Sequence, residues 1–367
     1  MIYLDYQATT PLAPEALAAM MPWLAGPEAM GFANPHSPHR PGRAAAAAVE
    51  VAREQVAALM PAGGRVIFTG GATEAINLAI QGRRAAGRLG QVAVSAIEHA
   101  AVLETARASG APVDVLPVSA GGLVAGDQAI AAGTDLVCVM QVNNEIGTIQ
   151  PVAQLAEAAH RAGALFLCDA VQGAGRIAAP GQGFGQADMI ALSAHKIYGP
   201  KGIGALWVRD GVDLAPVLHG GGQEGGLRSG TLSPALCAGF GAAAALCASQ
   251  WESDAQHVDS LWKTALDLLP GWVLNGDAAQ RWHGNLNVRR EGLDVARLMS
   301  DLRDIAFSAG SACASGSGRP SHVLGAIGLS AAQAKSSIRI GFGRYTAQGE
   351  FAGALTRIAA AAAAQEG

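Results

Sequence analysis

The sequence has no run of lysine and arginine residues, and its 25 basic residues are outnumbered by 29 acidic ones, which gives a formal net charge of −4 at pH 7. A protein that binds nucleic acid or an anionic membrane needs a basic surface, so we expect neither partner. Long hydrophobic runs are also absent: the longest run of small apolar residues, 235–248, is shorter than the about 20 residues that cross a bilayer. The N-terminal stretch MIYLDYQATTPLAP lacks the basic and apolar regions of a signal peptide. These absences predict a soluble, cytoplasmic protein.

Cysteine is scarce, and the pattern of the cysteines excludes its common structural uses. Their number is odd, and they form no CxxC pair and no cysteine–histidine cluster at zinc-ligand spacing. His36 and His39 lie close together, but an isolated H-x-x-H is only a weak sign of a metal. We therefore predict a reducing compartment and no metal. The cysteines are Cys138, Cys168, Cys237, Cys247 and Cys313.

The chain has enough residues, and enough apolar ones, for a large buried core. Its 367 residues, 50% hydrophobic and 15% charged, suit a compact enzyme or an obligate oligomer with one large and one small domain. We predict that the large domain spans 13–250 and that 1–12 join 251–367 in the small domain. A long predicted helix over 233–269 connects the two.

Strand-type apolar runs alternate with helical stretches through much of the chain. This alternation predicts an α/β fold with a largely parallel sheet that helices cover on both faces. The predicted strands are 65–69, 91–95, 113–117, 135–141, 164–169, 188–193 and 204–208, and the predicted helices between them are 75–86, 100–108, 127–132 and 151–161. Around this unit we predict a strand at 2–5 and helices at 14–24 and 43–60, then strands at 285–288, 305–308 and 337–341 with helices at 293–302, 321–327 and 348–364.

Polar residues gather where four of the predicted strands end. The carboxyl ends of parallel strands are where such sheets bind ligands. A single aspartate or histidine at a strand end can be a helix cap, but caps alone hardly explain four clusters. The clusters are 98–99 (EH), 143–145 (NNE), 169–172 (DAVQ) and 193–196 (SAHK).

Lys196 is one of only four lysines, and it stands where a buried strand gives way to the loop YGPKGIG. Burial disfavours a charged lysine, so its pKa falls and a nucleophilic amine becomes available. Such an amine can form a Schiff base with an aldehyde cofactor. The alternative is a loop lysine that pairs with a carboxylate, and this stretch alone leaves both readings open.

The sequence contains two glycine-rich stretches, and each can be interpreted in two ways. The stretch 70–74 (GGATE) opens a helix, where small residues and backbone N–H groups can cradle a phosphate. Taken alone, the stretch is better explained by a tight turn with a threonine cap. The stretch 219–231 (HGGGQEGGLRSGT) is either a connector or a segment that contacts phosphate or another subunit. It is not a P-loop, and no Rossmann fingerprint follows the first strand.

Cys313 lies in the stretch 308–320 (SAGSACASGSGRP), which is rich in glycine and serine and has no apolar periodicity. The other four cysteines lie in apolar strands or helices, where cysteine behaves as a small hydrophobe. A thiol without a packing role suggests that its thiolate is used. An incidental surface thiol is the alternative, but together with a Schiff-base lysine the pattern suggests sulfur chemistry.

These stretches resemble the NifS-type cysteine desulfurases, a branch of the fold-type-I, class-V aminotransferase-like pyridoxal-phosphate enzymes. The resemblance runs almost end to end, and the long serine- and glycine-rich cysteine stretch is similar to group I of that family. It implies an α/β fold, with a large domain built on a mostly parallel seven-stranded sheet between helices and a smaller α+β C-terminal domain. The segments that carry it are YLDYQATTP, GGATEAINLAI, EHAAV, VNNEIG, DAVQ, SAHKIYGPKGIGAL, RSGTL, SAGSACAS and SSIRIGFGR.

The resemblance implies roles for the strand-end residues around pyridoxal 5′-phosphate. Lys196 would hold the cofactor as a Schiff base and then transfer protons. Asp169 would pair with the pyridine nitrogen, and His99 would stack on the ring and act in acid–base steps. Gln172 and Asn144 would form hydrogen bonds with the hydroxyl side of the ring and with the substrate.

The resemblance also implies which residues bind the cofactor phosphate and the substrate. The phosphate would be held by the backbone of Ala72 and by the side chains of Thr73, Ser193 and His195. Thr231 would reach the phosphate of the neighbouring subunit, which implies a homodimer. Arg339 would form a two-pronged pair with the substrate carboxylate, a geometry that lysine cannot supply, with help from Asn34.

The implied reaction converts L-cysteine to L-alanine and leaves the sulfur on Cys313 as a persulfide. A sulfur-acceptor protein would then receive it for iron–sulfur cluster assembly, on a scaffold protein, or for tRNA or cofactor thiolation. The sequence differs from relatives at Gln223, where some have histidine, and at Gly225, where many have arginine. It also ends at Gly367, whereas relatives that dock a scaffold often extend further. These differences leave the acceptor open.

Two other kinds of function stay open at this point. One is a related pyridoxal-phosphate enzyme, either a selenocysteine lyase with the same motifs or an aminotransferase, which would not need Cys313. The other is a non-catalytic sulfur-transfer platform. A platform has no need to retain Lys196, Asp169, His99 and Cys313 together, which argues against it.

Overall fold

A computed structural model describes residues 1–24, 26–27, 29, 31–310 and 321–365. The N-terminal part contains β1 (Ile2–Tyr3), α1 (Pro14–Met20) and α2 (Arg40–Ala57). The central part contains β2 (Gly64–Thr69), α3 (Ala72–Ala85), β3 (Val92–Ser95), α4 (Ala100–Ala108), β4 (Val113–Leu116), β5 (Leu136–Met140), α5 (Val152–Arg161), β6 (Leu165–Asp169), β7 (Met189–Ser193) and β8 (Gly204–Arg209). The remainder contains α6 (Pro234–Leu268), β9 (Val273–Leu274), β10 (Asn285–Arg289), α7 (Val295–Asp301), β11 (Ile305–Ala306), β12 (Ser308–Ala309), α8 (His322–Ala326), α9 (Ala331–Lys335), β13 (Ser337–Gly341) and α10 (Gln348–Ala363).

The main sheet has seven strands in the order β2-β8-β7-β6-β5-β3-β4. Strands β3 to β7 pair in parallel, and β8 runs antiparallel to both of its neighbours. The predicted α/β fold with a mostly parallel seven-stranded sheet is therefore confirmed. Every residue of β5 and β7 is buried, because helices cover both faces of the sheet.

Alternate residues of the central strands point to two separate apolar layers. Val137 and Val139 of β5 pack in a core with α2, α5 and the first half of α6. Leu136 and Cys138 pack on the other face with α3 and α4. This period of two places one helical layer on each side, as strand geometry requires.

A second, smaller sheet lies in the C-terminal part. It has the order β12-β13-β10-β9 and is antiparallel throughout, while β1 pairs in parallel with β11. Leu4 joins the core of this part, together with Trp262, Leu298 and Phe351. Helix α6 is 35 residues long and contributes to both cores, with Phe240 in the first and Trp262 in the second. The predicted domain boundaries remain a prediction.

The predicted helix at 127–132 is wrong, since most of those residues are in irregular structure and the rest in turns. Glycines flank the stretch, and Gly133 has a φ of +85°. So short a segment cannot offset the cost of starting a helix. Conversely, the five-residue helix α9 was not predicted, although Ser330 and Gln333 form a complete capping box before it.

Candidate active site

The carboxyl ends of the central strands open on a cavity of about 560 Å³. The last residues of β5, β6 and β7, which are Met140, Asp169 and Ser193, all line it. Most of the predicted site residues share this cavity although they come from six different stretches of the chain. They are Ala72, Thr73, His99, Asn144, Asp169, Gln172, Ser193, His195, Lys196 and Arg339.

Lys196 ends a single 3₁₀ turn, Ala194–Lys196, directly after β7. Its Nζ donates to the carbonyl of Ala8 at 2.8 Å and also to the carbonyl of Gln7. The turn itself is fixed by Thr10, whose Oγ1 donates to the carbonyl of His195 at 2.9 Å and accepts from the Tyr198 N–H at 2.7 Å. The N-terminal segment therefore positions the lysine amine at the cavity.

Asp169 and His99 are two titratable groups that interact with each other and with Lys196. Asp169 is 6% exposed, and its Oδ1 accepts from the Val171 N–H at 3.0 Å. Burial raises the pKa of Asp169, while the nearby His99 and Lys196 act to lower it. Burial lowers the pKa of His99, whereas the nearby Asp169 acts to raise that pKa. Because Nδ1 of His99 accepts from the Ala101 N–H at 3.0 Å, the neutral ring carries its proton on Nε2.

Next to His99 in the chain is Glu98, a member of the 98–99 cluster that was assigned no separate role from the sequence. Glu98 is fully buried, and its Oε1 accepts from the Ser95 hydroxyl at 2.5 Å and from the Met140 N–H at 2.8 Å. Its Oε2 has no partner among the described residues. Burial raises the pKa of Glu98 to about 8, so the neutral form dominates near pH 7.

The N-terminus of α3 forms one end of the cavity. The first-turn N–H groups of this 14-residue helix begin at Ala72, and the positive helix end favours an anion there. The start of β8 approaches this turn closely, because a Cβ on Gly204 would lie 2.7 Å from the Cα of Gly71. Burial and the neighbouring Lys196 lower the pKa of His195 to about 4, so its ring is neutral. Nδ1 of that ring lies 3.2 Å from the Thr9 hydroxyl.

Arg339 and Asn144 form the opposite side of the cavity. The Arg339 side chain is 2% exposed and comes from β13 of the smaller sheet. Its Nη1 donates to the Asn144 carbonyl at 3.0 Å, and its Nη2 donates to Asp5 Oδ1 at 2.8 Å. A buried guanidinium at the cavity suits a ligand that carries a carboxylate.

The amide of Gln172 is largely engaged by protein groups. Nε2 donates to the Gln7 carbonyl at 3.0 Å, and Oε1 accepts from Nη1 of Arg176 at 3.0 Å. One amide hydrogen remains for a ligand. Its predicted hydrogen bond to the cofactor remains a prediction.

Two described residues among the predicted site residues, Asn34 and Thr231, do not line this cavity. Asn34 is exposed, and its Oδ1 accepts from the His36 N–H at 2.9 Å. Thr231 is exposed, and its role was predicted for the neighbouring subunit, which a single chain does not test. Cys313 lies outside the described residues. All three assignments remain predictions.

The N-terminal segment supplies cavity residues that were not predicted from the sequence. Gln7, Ala8 and Thr9 line the cavity, as does Lys201. The polar turn after the first strand was visible in the sequence, but 188 positions separate Ala8 from Lys196. No pattern in the sequence links positions so far apart.

The residues present fit pyridoxal phosphate. Four kinds of group meet at one cavity. The buried carboxylate suits a pyridine nitrogen, and the lysine amine suits an aldehyde. The imidazole suits an aromatic ring, and the helix N-terminus suits a phosphate. Among the described residues, no group of three or more histidine, cysteine or acidic side chains could hold a metal ion. In the same part of the chain, no helix is long and apolar enough to cross a membrane.

Comparison with known proteins agrees with this geometry. Residues 2–352 match the family described as aminotransferase class-V. The chain is 41% identical to the cysteine desulfurase IscS of Rickettsia rickettsii (strain Iowa) over 365 residues, covering 95% of this chain and 88% of that protein. A solved structure titled NifS-like protein is 31% identical, with a TM-score of 0.88 and 98% of both chains covered. Another, titled SspA in complex with cysteine, is 34% identical, with a TM-score of 0.80, covering 95% of this chain and 100% of that one.

These matches extend over nearly the whole chain. They agree with the fold and with the cavity around Lys196. The chain therefore belongs to the class-V aminotransferase family and, within it, to the pyridoxal-phosphate-dependent cysteine desulfurases.

Proposed function

We propose that this enzyme converts L-cysteine to L-alanine and transfers the sulfur to its own Cys313 as a persulfide. The observation that carries the proposal is the single cavity in which Lys196, Asp169, His99 and Arg339 meet. A neighbouring structure whose title states a complex with cysteine supports the substrate.

The cofactor supplies an electron sink for negative charge that develops at the substrate α-carbon. Lys196 would hold it through the Nζ amine, and the carboxylate of Asp169 would face its ring nitrogen. The N–H groups at the start of α3, with Ser193 and His195, would receive the phosphate. A helix N-terminus and a neutral imidazole that can donate a hydrogen bond both suit an anion.

Two side chains are placed to move protons. Lys196 lies next to Asp169 and His99 and, once released, would carry the proton removed from the substrate α-carbon. His99 presents its Nε2–H because Nδ1 is occupied by the Ala101 N–H. It would donate that proton to a group on the substrate and recover it later.

Arg339 would fix the orientation of the substrate by its α-carboxylate. The side chain is buried and its plane is held by two protein acceptors, so few rotamers are lost when a ligand binds.

The sulfur step needs no external oxidant. The thiolate of Cys313 forms a bond to the substrate sulfur while the carbon–sulfur bond breaks. The carbon is reduced and takes a proton to give L-alanine, and the transferred sulfur remains on Cys313 as a persulfide. A thiol reductant then releases it as sulfide.

The four other cysteines are poorly suited to this step. Each is buried and unpaired, and burial raises the pKa of each thiol, in the case of Cys237 to about 12. A buried thiol that resists ionisation is a weak nucleophile. By its surroundings in the sequence, Cys313 is the best candidate.

We also propose a homodimer in which Thr231 reaches the cofactor phosphate of the partner subunit. Two ion pairs support this by holding the loop that carries Thr231. Arg228 binds Glu74 at the start of α3 at 2.6 Å, and Glu224 binds Arg53 at 2.7 Å. These pairs hold the segment just before Thr231, which is exposed and accessible to a partner subunit.

A sulfur-acceptor protein completes the proposed reaction. An iron–sulfur scaffold is one such acceptor, and a protein of tRNA or cofactor thiolation is another. The cytoplasmic location remains the prediction made from the sequence.

The test of the proposed function is product release from L-cysteine with a reductant present. We expect the native holoenzyme to release alanine and sulfide in equal amounts and Cys313→Ala to release neither. Cys237→Ala is the matched control and should retain both products. Full release by Cys313→Ala would assign the reaction to another kind of pyridoxal-phosphate lyase.

A further inference from the structure

Arg339 lines the cavity, and two protein groups already accept hydrogen bonds from it. Nη1 donates to the Asn144 carbonyl at 3.0 Å, and Nη2 donates to the Asp5 carboxylate at 2.8 Å. Nε is buried and has no partner among the described residues. A guanidinium has five N–H donors, so these two bonds fix its plane and leave donors for a ligand.

Backbone pairing places the Asp5 carboxylate where it is. Asp5 forms a parallel bridge with Gly341, and the Gly341 N–H donates to the Leu4 carbonyl at 2.8 Å. This approach requires a glycine, because a Cβ on Gly341 would lie 1.8 Å from Gln7 Oε1 and 2.8 Å from the backbone nitrogen of Tyr6. The register of the N-terminal segment therefore sets the distance between the carboxylate and Arg339.

The pair is largely shielded from water. The Arg339 side chain is 2% exposed and that of Asp5 is 20% exposed. In such surroundings a charge interaction is screened less than at the surface. A substrate carboxylate that binds Arg339 must share the guanidinium with a second negative charge close by.

We infer that Asp5 is a positioning residue that sets the affinity of the site for α-carboxylates through two opposing effects. Its oxygen orients the Arg339 fork, and its negative charge weakens the hold of that fork on a second carboxylate. The inference rests on the proposed function in that it takes Arg339 as the carboxylate site. Because L-alanine carries the same carboxylate as L-cysteine, Asp5 also favours release of the product.

Two substitutions separate these effects. Asp5→Asn keeps the acceptor oxygen and removes the charge, so we expect the KM for L-cysteine and the Kd for L-alanine to fall by about threefold to tenfold. Asp5→Ala removes both, so we expect both constants to rise by about tenfold or more. A merely structural role would weaken binding in both variants.

Two controls sharpen the test. Cysteamine is the analogue of cysteine that lacks the carboxylate. Its affinity can be measured by its displacement of labelled L-alanine. We expect the native and Asp5→Asn holoenzymes to bind cysteamine equally well. Asp304 forms an exposed ion pair with Arg357 in the same part of the fold, with 2.7 Å between the carboxylate oxygen and the guanidinium nitrogen. Asp304→Asn removes the charge from that pair. That variant should bind L-alanine as the native holoenzyme does.

Equilibrium dialysis of labelled L-alanine against the holoenzymes measures binding without turnover. Should the native protein release no alanine from L-cysteine, the proposed function fails, and the dialysis still decides the role of Asp5. Opposite changes in Asp5→Asn and Asp5→Ala support the inference. A change in the same direction in both variants, or an equal gain in cysteamine affinity, overturns it.

Discussion

The two walls of the cavity are built in different ways. The cofactor wall consists of Asp169 at the end of β6 and of His99 and Lys196, which lie within four residues after β3 and β7. The carboxylate wall is made of Asn144 and Arg339, and Asp5 binds Arg339 from 334 positions away in the chain. The first wall follows from the sheet itself, because parallel strands end at one edge. The second exists only after the N-terminal segment has paired with the smaller sheet.

This difference predicts different consequences of substitution. Changes in the cofactor wall should act on the chemical step, and changes in the carboxylate wall should act on substrate binding. Matched pairs of residues test that division, starting with the largest expected effect.

Asp169→Asn should lower kcat by about 10²-fold to 10³-fold, because the ring nitrogen loses a charged partner in a buried site. The KM for L-cysteine should change far less. Alanine release by the holoenzyme measures both constants.

Asp188→Asn is the matched control for that change. Asp188 is also a buried aspartate next to the sheet, 5% exposed, but it precedes β7 and pairs with His160 at 2.8 Å. We expect it to lower stability and to leave kcat per folded enzyme intact. An equal loss of kcat in both variants would contradict the special role of the cofactor wall.

Arg339→Lys should raise the KM for L-cysteine by about tenfold to 100-fold with a smaller change in kcat, because lysine cannot make the two-pronged pair. Steady-state kinetics with L-cysteine measure the split. Arg357→Lys, on the exposed pair with Asp304, should change neither constant. A fall in kcat without a rise in KM would place Arg339 in the chemistry instead of in binding.

Glu98→Gln should alter the pH dependence of stability. Burial raises the pKa of Glu98 from 4.5 to about 8. Between these values the folded chain holds a proton that the unfolded chain has lost, so the free energy of unfolding is highest at low pH and falls as the pH rises. At about 1.4 kcal/mol per pKa unit, the native protein should lose a few kcal/mol between about pH 5 and pH 8.

The glutamine variant lacks this titration, so its free energy of unfolding should fall less over the same range. Urea unfolding of the two holoenzymes at both pH values measures the difference. Glu104→Gln, on an exposed pair with Arg107, should behave like the native protein. Parallel pH profiles for the native protein and Glu98→Gln would show that Glu98 does not titrate in this way.

Much of the cofactor wall was predictable from the sequence alone, and the reason is local. The β/α alternation fixes which ends of the strands meet, so it places the polar clusters near His99, Asp169 and Lys196 at one edge of the sheet. The phosphate end at Ala72 follows from the same logic, since a helix that starts at a strand end points its N-terminus toward the ligand.

The carboxylate wall was less accessible to this reasoning. Arg339 was assigned only through family resemblance, because an arginine in a buried strand has no local signature of its role. Asp5 and the carbonyls of Gln7 and Ala8 were not assigned at all, since their roles depend on pairing across hundreds of positions. The helix expected at 127–132 failed for the opposite reason, because local propensity was outweighed by flanking glycines.

The identity of the lysine that holds the cofactor is the central claim, and the chain offers a close internal alternative. Lys201 lines the same cavity as Lys196, and only two further lysines exist, Lys263 and Lys335. Reduction of the holoenzyme with borohydride, digestion and peptide mass mapping locates the attachment directly. We predict the cofactor on the peptide that carries Lys196 and no covalent label in Lys196→Ala. Label on Lys201, or label retained in Lys196→Ala, would contradict the account.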